Sequence, residues 1–387
     1  MKQRFYALDV FRGATIALMI LVNNPGSWKY IYAPLEHAPW HGCTPTDLVF
    51  PFFLFAVGNA MAFTIPALRR SGNRAFWMKT LKRTVLIFGI GLLLNWFPFI
   101  KYDSAGALVA EGFNTLRILG VLQRIALCYL FASIIIYYLN PAKAFIAGVV
   151  LLLLYWGICL AFGNAADPYS LQGWFGTPID KAILGESHMY HGEGVAFDPE
   201  GFPSTIAAIT QVILGYLAGD YIVQKKNAIA GTAMAASWYT IIANLFVAGG
   251  LLVFTGFCWD MVFPINKKIW TSSFVIYTTG IAIMVLATLL HLIEANGHRG
   301  GWSRFFEVFG KNPLFIFVLS GVWVRLYGLV RIPADNGYEG LGGWMYNHVF
   351  APLFGNMNGS LLYAIFHVII FWGIAWWLDK KKIYIKV

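Results

Sequence analysis

The stretch LDVFRGATIALMILVNNPGSWKYIYAPLEHAPWHGCTPTDLVFPFFLFAVGNAMAFTIP, residues 8–66, decides the fold. Its two ends, about 8–24 and 46–66, are apolar runs close to the roughly 20 residues that carry a helix across a bilayer. Between them, Asn23, Asn24, Glu36, His37, Trp40, His41 and Asp47 crowd polar chemistry into one loop. Asp47 is followed at once by LVFPFFLFAV, so it sits at or just inside the membrane interface. An ionised carboxylate near a membrane centre costs up to about 3 kcal/mol unless it is paired or wetted. The loop therefore reads as the mouth of a site.

The rest of the chain repeats the pattern of its first 66 residues. It is 58% hydrophobic and 12% charged, against about 25% charged in soluble domains, and its mean hydropathy is +0.63. Long apolar runs without strict alternation exclude a β-barrel. The expected architecture is an all-α, polytopic transmembrane bundle in which residues 1–387 form one domain. The basic start, MKQRFYALDVFRG, resembles the head of a signal peptide, but Asn23, Asn24 and Pro25 follow without a small-x-small cleavage site, so this segment is expected to stay as the first span.

Ten spans are expected, at about 8–24, 46–66, 82–99, 118–139, 143–162, 204–223, 229–255, 270–293, 313–331 and 359–379. An even number places both termini on one side. Most of the 28 Lys and Arg residues then fall on the termini's side, among them Lys2, Arg4, Arg69, Arg70, Arg74, Lys79, Lys82, Arg83, Lys311 and Lys386. The positive-inside rule makes that side cytoplasmic. Anionic lipid facing these loops accounts for the net charge of +10, and no nucleic-acid partner is needed. The same topology turns 23–46, 163–203 and 332–358 outward, and the long 163–203 connection is of the kind that usually carries function. No internal repeat supports an inverted-repeat transporter. Nor does a small-xxx-small seam locate a dimer interface, although a homodimer through helix faces is compatible with the composition.

His37, beside Glu36 and Trp40, has the chemistry of a general base or nucleophile; a surface histidine without a task is the competing reading. Asn23 closes the first span as a partner for another polar group or as a helix cap. Arg12 stands three residues after Asp9, one helical turn, so an internal ion pair is the plain reading. Arg124, next to Gln123, has no acid nearby in sequence and needs a carboxylate, carbonyls or an anionic ligand. His188 and His191 have i, i+3 spacing, but no third ligand follows, and a hydrogen-bonded sugar-binding loop explains the same residues. No metal is expected. Outer-loop aromatics such as Trp28, Trp40, Trp174 and Tyr190 fit an interfacial belt and equally a sugar-stacking surface. Cys43 and Cys258 share the expected outer side, which leaves a disulfide between them open.

At LDVFRG, LVNN, HAPWHG, TDLVFPFFLF, RILGVLQRIALCY, LGESHMYH, FDPEG and PINKKIW, in this order over nearly the whole chain, the sequence resembles the membrane-bound heparan-alpha-glucosaminide N-acetyltransferase family and its bacterial relatives. The resemblance implies transfer of acetyl groups from cytosolic acetyl-CoA, as co-substrate, to the amine of a glucosamine-type sugar across a bacterial inner membrane. It also implies an active-site histidine at His37 and a partner asparagine at Asn23, with Asn24 a rival because the intervening loop is longer here. Arg12, Arg83, Gln123, Arg124 and Lys311 are then candidates for holding acetyl-CoA. Glu36, Trp40, Asp47, His188 and Asp198 are candidates for holding the acceptor. The lysosomal enzyme's large lumenal domain and extra first span have no counterpart in these motifs. A permease for amino sugars or N-acetylglucosamine is the alternative.

Overall fold

In the computed structural model, residues 5–103, 106–229, 234–334 and 337–385 are described; Lys2, Arg4 and Lys386 lie outside them. The first span forms because YALDVFRGATIALMILVN carries nothing to break a helix, and α1 runs Tyr6–Asn23. Thr44 and Asp47 then form a capping box over a tight turn at Pro45–Leu48, satisfying donors that a helix start leaves bare. The turn leads into α2 (Val49–Met61), which bends into α3 (Ile65–Ser71). Next come α4 (Asn73–Trp96) and α5 (Val121–Tyr138), separated by a small antiparallel hairpin, β1 (Ile100–Tyr102) and β2 (Leu108–Ala110). Asn140 accepts the Lys143 N–H and, with Pro141 after it, starts α6 (Pro141–Phe162).

The long connection after α6 holds the short α7 (Gly176–Leu184) and delivers the chain to α8 (Phe202–Ile229), α9 (Met234–Asp260) and α10 (Ser272–Leu290). Asn312 and Pro313 interrupt the next segment, so α11 (Gly301–Lys311) and α12 (Pro313–Leu329) meet at 80°. A second hairpin, β3 (Arg331–Ala334) with β4 (Gly337–Gly340), precedes the short α13 (Leu341–Met345) and α14 (Ala351–Phe354) and the final α15 (Asn356–Lys380).

Among the described residues, seven helices are long and apolar enough to cross a membrane, nine if each bent pair is one span. The expected ten therefore become seven to nine. The difference lies at the third expected span, where α4 is long but carries Arg74, Lys79, Lys82 and Arg83 along its first half. The outward faces of α6 and α9 expose Phe145, Ile146, Val150, Leu153, Val247, Leu251, Phe254 and Phe257. Apolar faces this extensive mark a lipid-facing surface. The protein is a multi-pass helical membrane protein.

Close helix contacts rest on glycine. A Cβ on Gly58 of α2 would lie 1.9 Å from the Val212 carbonyl oxygen of α8, and one on Gly215 would lie 2.2 Å from that of Phe55. Gly13 and Gly310 do the same between α1 and α11, at 1.7 Å and 1.9 Å from the Phe306 and Asp9 carbonyls. By contrast, nothing lies within 4 Å of a Cβ on Gly89. Gly58→Ala is expected to lower the melting temperature in detergent, at a cost of about 1–3 kcal/mol from overpacking. Gly89→Ala is expected to be neutral or to raise it, by up to about 1 kcal/mol of helix propensity.

Candidate active site

Asp47 is 1% exposed, and its two oxygens divide the work. Oδ2 accepts the backbone N–H groups of Ala38 and Thr44, both at 3.0 Å, and the Thr44 hydroxyl at 3.1 Å. These bonds close the loop 38–47 on itself. Oδ1 is left for His37 Nδ1 at 2.6 Å and Lys267 Nζ at 3.4 Å. A carboxylate only accepts, so Nδ1 carries the proton and Nε2 of His37 is the ring nitrogen with the lone pair.

Lys267 arrives from the α9–α10 connection. Gly42 donates its N–H to the Ile265 carbonyl at 2.7 Å, and the Asn266 amide meets His41 at 3.3 Å, so the two loops are pinned together. Asn266 also accepts the Ile269 N–H, while Trp270 sits at a φ of 52°. A bulky residue in this left-handed region is strained. It holds the indole edge-on to Phe50, with the Arg124 guanidinium 5.1 Å from the ring centre. The Lys267 ammonium is 3.0 Å from His37 Nδ1 and 3.4 Å from Nε2. Burial lowers its pKa, with Asp47 and Glu200 pulling it back up. Burial and the nearby Asp47 push the Cys43 thiol up to about 12, so this neighbour is not a thiolate.

The opposite wall is an arginine between carboxylates. Arg117 donates Nη2 to Asp198 Oδ1 at 2.7 Å and Nε to Oδ2 at 3.2 Å, and it also bonds Glu200 and lies 4.7 Å from the Tyr190 ring centre. Burial opposes its charge, but Glu200 and Asp198 hold its pKa above the ordinary arginine value. His37, Asp47, Lys267, Trp270, Arg117 and Glu200 line one cavity of ≈ 240 Å³.

Arg117 also borders a second cavity, of ≈ 270 Å³, lined by Asn23, Asn24, Asn95, Gln123, Phe317 and Arg325. Leu122 and Phe317 are common to this cavity and a third, of ≈ 120 Å³, which adds Arg12, Ile87, Ile125 and Pro313. Arg83 joins the third to a fourth, of ≈ 350 Å³, lined by Lys79, Lys82 and Tyr129. The helices agree on the order. From the first cavity's neighbour inward, α4 contributes Asn95, then Ile87, then Arg83; α5 contributes Leu122, Ile125 and Tyr129; α12 contributes Ser320 and then Pro313; α1 contributes Asn23 and then Arg12. Arg83 to Asn95 alone rises about 18 Å. Among the described residues, the Nε groups of Arg12 and Arg83, both on the third cavity, have no hydrogen-bond partner.

The residues expected from sequence thus separate. His37 and Asp47 are together, with Asp198 across the cavity through Arg117. Asn23 lies in the second cavity, and Asn24 donates to the Ile20 carbonyl there at 2.7 Å. Gln123 lines the second cavity and donates to the Ile118 carbonyl, and Arg12 pairs with Asp9. Arg124, fully buried, bonds the Gly201 carbonyl and Ser204, while Lys311 is held by Glu307 and Asp379 away from the cavities. Trp40 donates its indole N–H to the Tyr169 carbonyl and packs on Phe197. Glu36 is exposed and is engaged through its backbone, its carbonyl by the Thr44 hydroxyl and its N–H by the Ala33 carbonyl. The His188 and His191 rings each bond a backbone carbonyl, of Leu116 and Met189. Among the described residues no group of three His, Cys, Asp or Glu could hold a metal. Cys43 and Cys258 are free thiols. Sequence reasoning passed over Arg117, Glu200 and Lys267 as site residues. The signal for Lys267 was the pair Lys267–Lys268, on the side expected to be outer, where the positive-inside rule disfavours lysine.

A multi-pass helical membrane protein with a histidine and a lysine on one buried carboxylate, at one end of a file of cavities, is the class this arrangement defines. Residues 4–177 match the family model described as heparan-alpha-glucosaminide N-acetyltransferase, catalytic. The chain is 26% identical to the human heparan-alpha-glucosaminide N-acetyltransferase over 364 residues, covering 81% of this chain and 52% of that protein. The mouse enzyme gives 26% over 366 residues, covering 81% and 53%. The chain is a distant relative of these acetyltransferases, and it spans about half the length of the curated relatives it matches.

Behind the Arg117 wall, Asp180 of α7 accepts the Phe202 N–H at the start of α8. Burial pushes its pKa up to about 7, with Asp198 adding to the shift. The folded state therefore keeps a proton that the unfolded state has lost once pH exceeds about 4. Stability is expected to fall as pH rises from about 4 to about 7 and to level off above. Melting curves of the wild type and Asp180→Asn across this range test it, since the variant should lose that part of the slope.

Proposed function

We propose that the protein is a transmembrane acetyltransferase. It moves the acetyl group of cytosolic acetyl-CoA to the amine of a glucosamine-type sugar on the outer side of a bacterial inner membrane. The single observation that carries this reading is the file of cavities that begins among Lys79, Lys82 and Arg83 and ends at His37. The human and mouse relatives are named as N-acetyltransferases, which supports the same chemistry here.

The four cavities match the parts of acetyl-CoA in order. The basic cavity takes the charged nucleotide phosphates, with Tyr129 under Arg83 at 4.7 Å as a face for the adenine region. The apolar third cavity takes the pantetheine arm, whose amides meet the unpartnered Arg12 and Arg83 Nε donors. In the second cavity the side chains of Asn23, Asn95 and Gln123 supply polar groups for the far end of the arm. Arg117 stands between this cavity and the acceptor's. Both termini cytoplasmic, and α4 as a tenth span in a single domain, put the basic cavity inside and His37 outside, as the distribution of Lys and Arg favours.

At the outer end, His37 Nε2 removes the proton of the acceptor amine as its nitrogen attacks the thioester carbon. Asp47 keeps the Nδ1 proton in place and stabilises the imidazolium that forms. Direct attack makes His37 a base; a histidine acetylated first makes it a nucleophile. The permease alternative leaves the His37–Asp47 pair and the basic inner cavity without a task.

The first test is acetyl transfer from labelled acetyl-CoA to glucosamine by purified protein, with His37→Ala beside the wild type. Loss of transfer with acetyl-CoA binding retained is expected. A folded wild type that acetylates no amino sugar would turn the reading to the permease. Asp47→Asn, which releases the imidazole tautomer, is expected to lower kcat by about 10²- to 10⁴-fold with KM for acetyl-CoA little changed. The double variant Lys79→Gln/Lys82→Gln should do the opposite, raising that KM about tenfold or more at similar kcat. Steady-state kinetics separates the two.

A further inference from the structure

Resting on the acetyltransferase reading, one demand of the reaction is left without a group. Acylation of an amine by a thioester has two proton transfers: the attacking nitrogen must lose a proton, and the departing thiolate must gain one. His37, oriented by Asp47, serves the first. Beside it, Lys267 Nζ lies 3.4 Å from His37 Nε2 and 3.4 Å from Asp47 Oδ1, on the same cavity. Among the described residues, no other ammonium lies within hydrogen-bond distance of that imidazole.

We propose that Lys267 is the general acid that protonates the departing thiolate and is then recharged by the His37 imidazolium. The amine nitrogen bonds to the acetyl carbon while its proton goes to His37 Nε2. The carbon–sulfur bond breaks, its electron pair leaves on sulfur, and sulfur takes a proton from Lys267 Nζ. The proton on Nε2 then crosses to Nζ, and both side chains return to their starting states. The net change is one proton moved from nitrogen to sulfur, with no other reactant. Its position among Asp47, Glu200 and the His37 ring orients the ammonium toward the place where acyl donor and acceptor meet. Burial supports the role, because it lowers the lysine toward the pKa of about 8.5 typical of a thiol, and proton transfer is efficient when the two are matched.

A structural lysine and an acid lysine respond differently to the leaving group. Lys267→Met and Lys267→Arg would be assayed with two donors, acetyl-CoA and S-acetyl-4-nitrothiophenol, whose thiolate leaves without a proton. Rates are taken above that of His37→Ala. Arginine keeps the positive charge beside Asp47 but does not give up a proton near neutral pH. Both variants are expected to lose about 10²-fold or more in kcat with acetyl-CoA, and to stay close to the wild type with the aryl thioester. Equal losses with both donors, or a Lys267→Arg variant at the wild-type rate with acetyl-CoA, would overturn the assignment. Should Lys267→Met fail to fold, judged by its melting curve, Lys267→Arg decides alone. A wild type that transfers from neither donor removes the acetyltransferase reading itself, and this assignment with it.

Discussion

The site depends on one carboxylate at the edge of the membrane. Asp47 is buried, and burial of an unpaired charge is prohibitive. Its oxygens are therefore fully used: Oδ2 by the backbone of the loop that carries it, and Oδ1 by His37 and Lys267. The first set of bonds shapes the loop 38–47. The second recruits a lysine from a connection more than two hundred residues away. Chain entry into α2, the tautomer of His37 and the position of Lys267 follow from the same group.

From that point the architecture leads inward. The helices α1, α4, α5 and α12 each show a polar residue to the second cavity, apolar or basic ones to the third, and α4 and α5 continue to the fourth. Small residues allow such walls to be thin: a Cβ on Gly91 would lie 2.5 Å from the Gln123 side-chain oxygen. A bundle that buries polar side chains at membrane depth without pairing all of them pays in stability, and such expense in membrane proteins marks a path for substrate. The unpartnered Nε groups of Arg12 and Arg83 are the clearest instances.

Much of the fold was legible because hydropathy reports the bilayer directly. The first two spans, the polar loop between them and the long 163–203 connection can be read from the chain. The basic first half of α4 blurs the third span, since residues facing a polar cavity look the same as residues facing water. At the site, His37 and Asp47 are both visible in sequence, but their bond requires Thr44 and Ala38 to close the loop. Asn23, paired with His37 by resemblance, instead lines the cavity on the other side of Arg117. Arg124 needed carbonyl partners and has one in Gly201, which no local pattern could name. Arg117 and Lys267 were hidden for the same reason: their partners come from distant segments, and an ion pair between loops leaves no periodicity.

The central claim is that the acetyl group crosses the membrane while its carrier does not. The direct measurement uses oriented proteoliposomes with acetyl-CoA sealed inside and labelled glucosamine outside. The account predicts labelled N-acetylglucosamine outside and free CoA thiol retained inside, in equal amounts. Label accumulating inside the vesicles, or acetylation only when both substrates share one side, would contradict it.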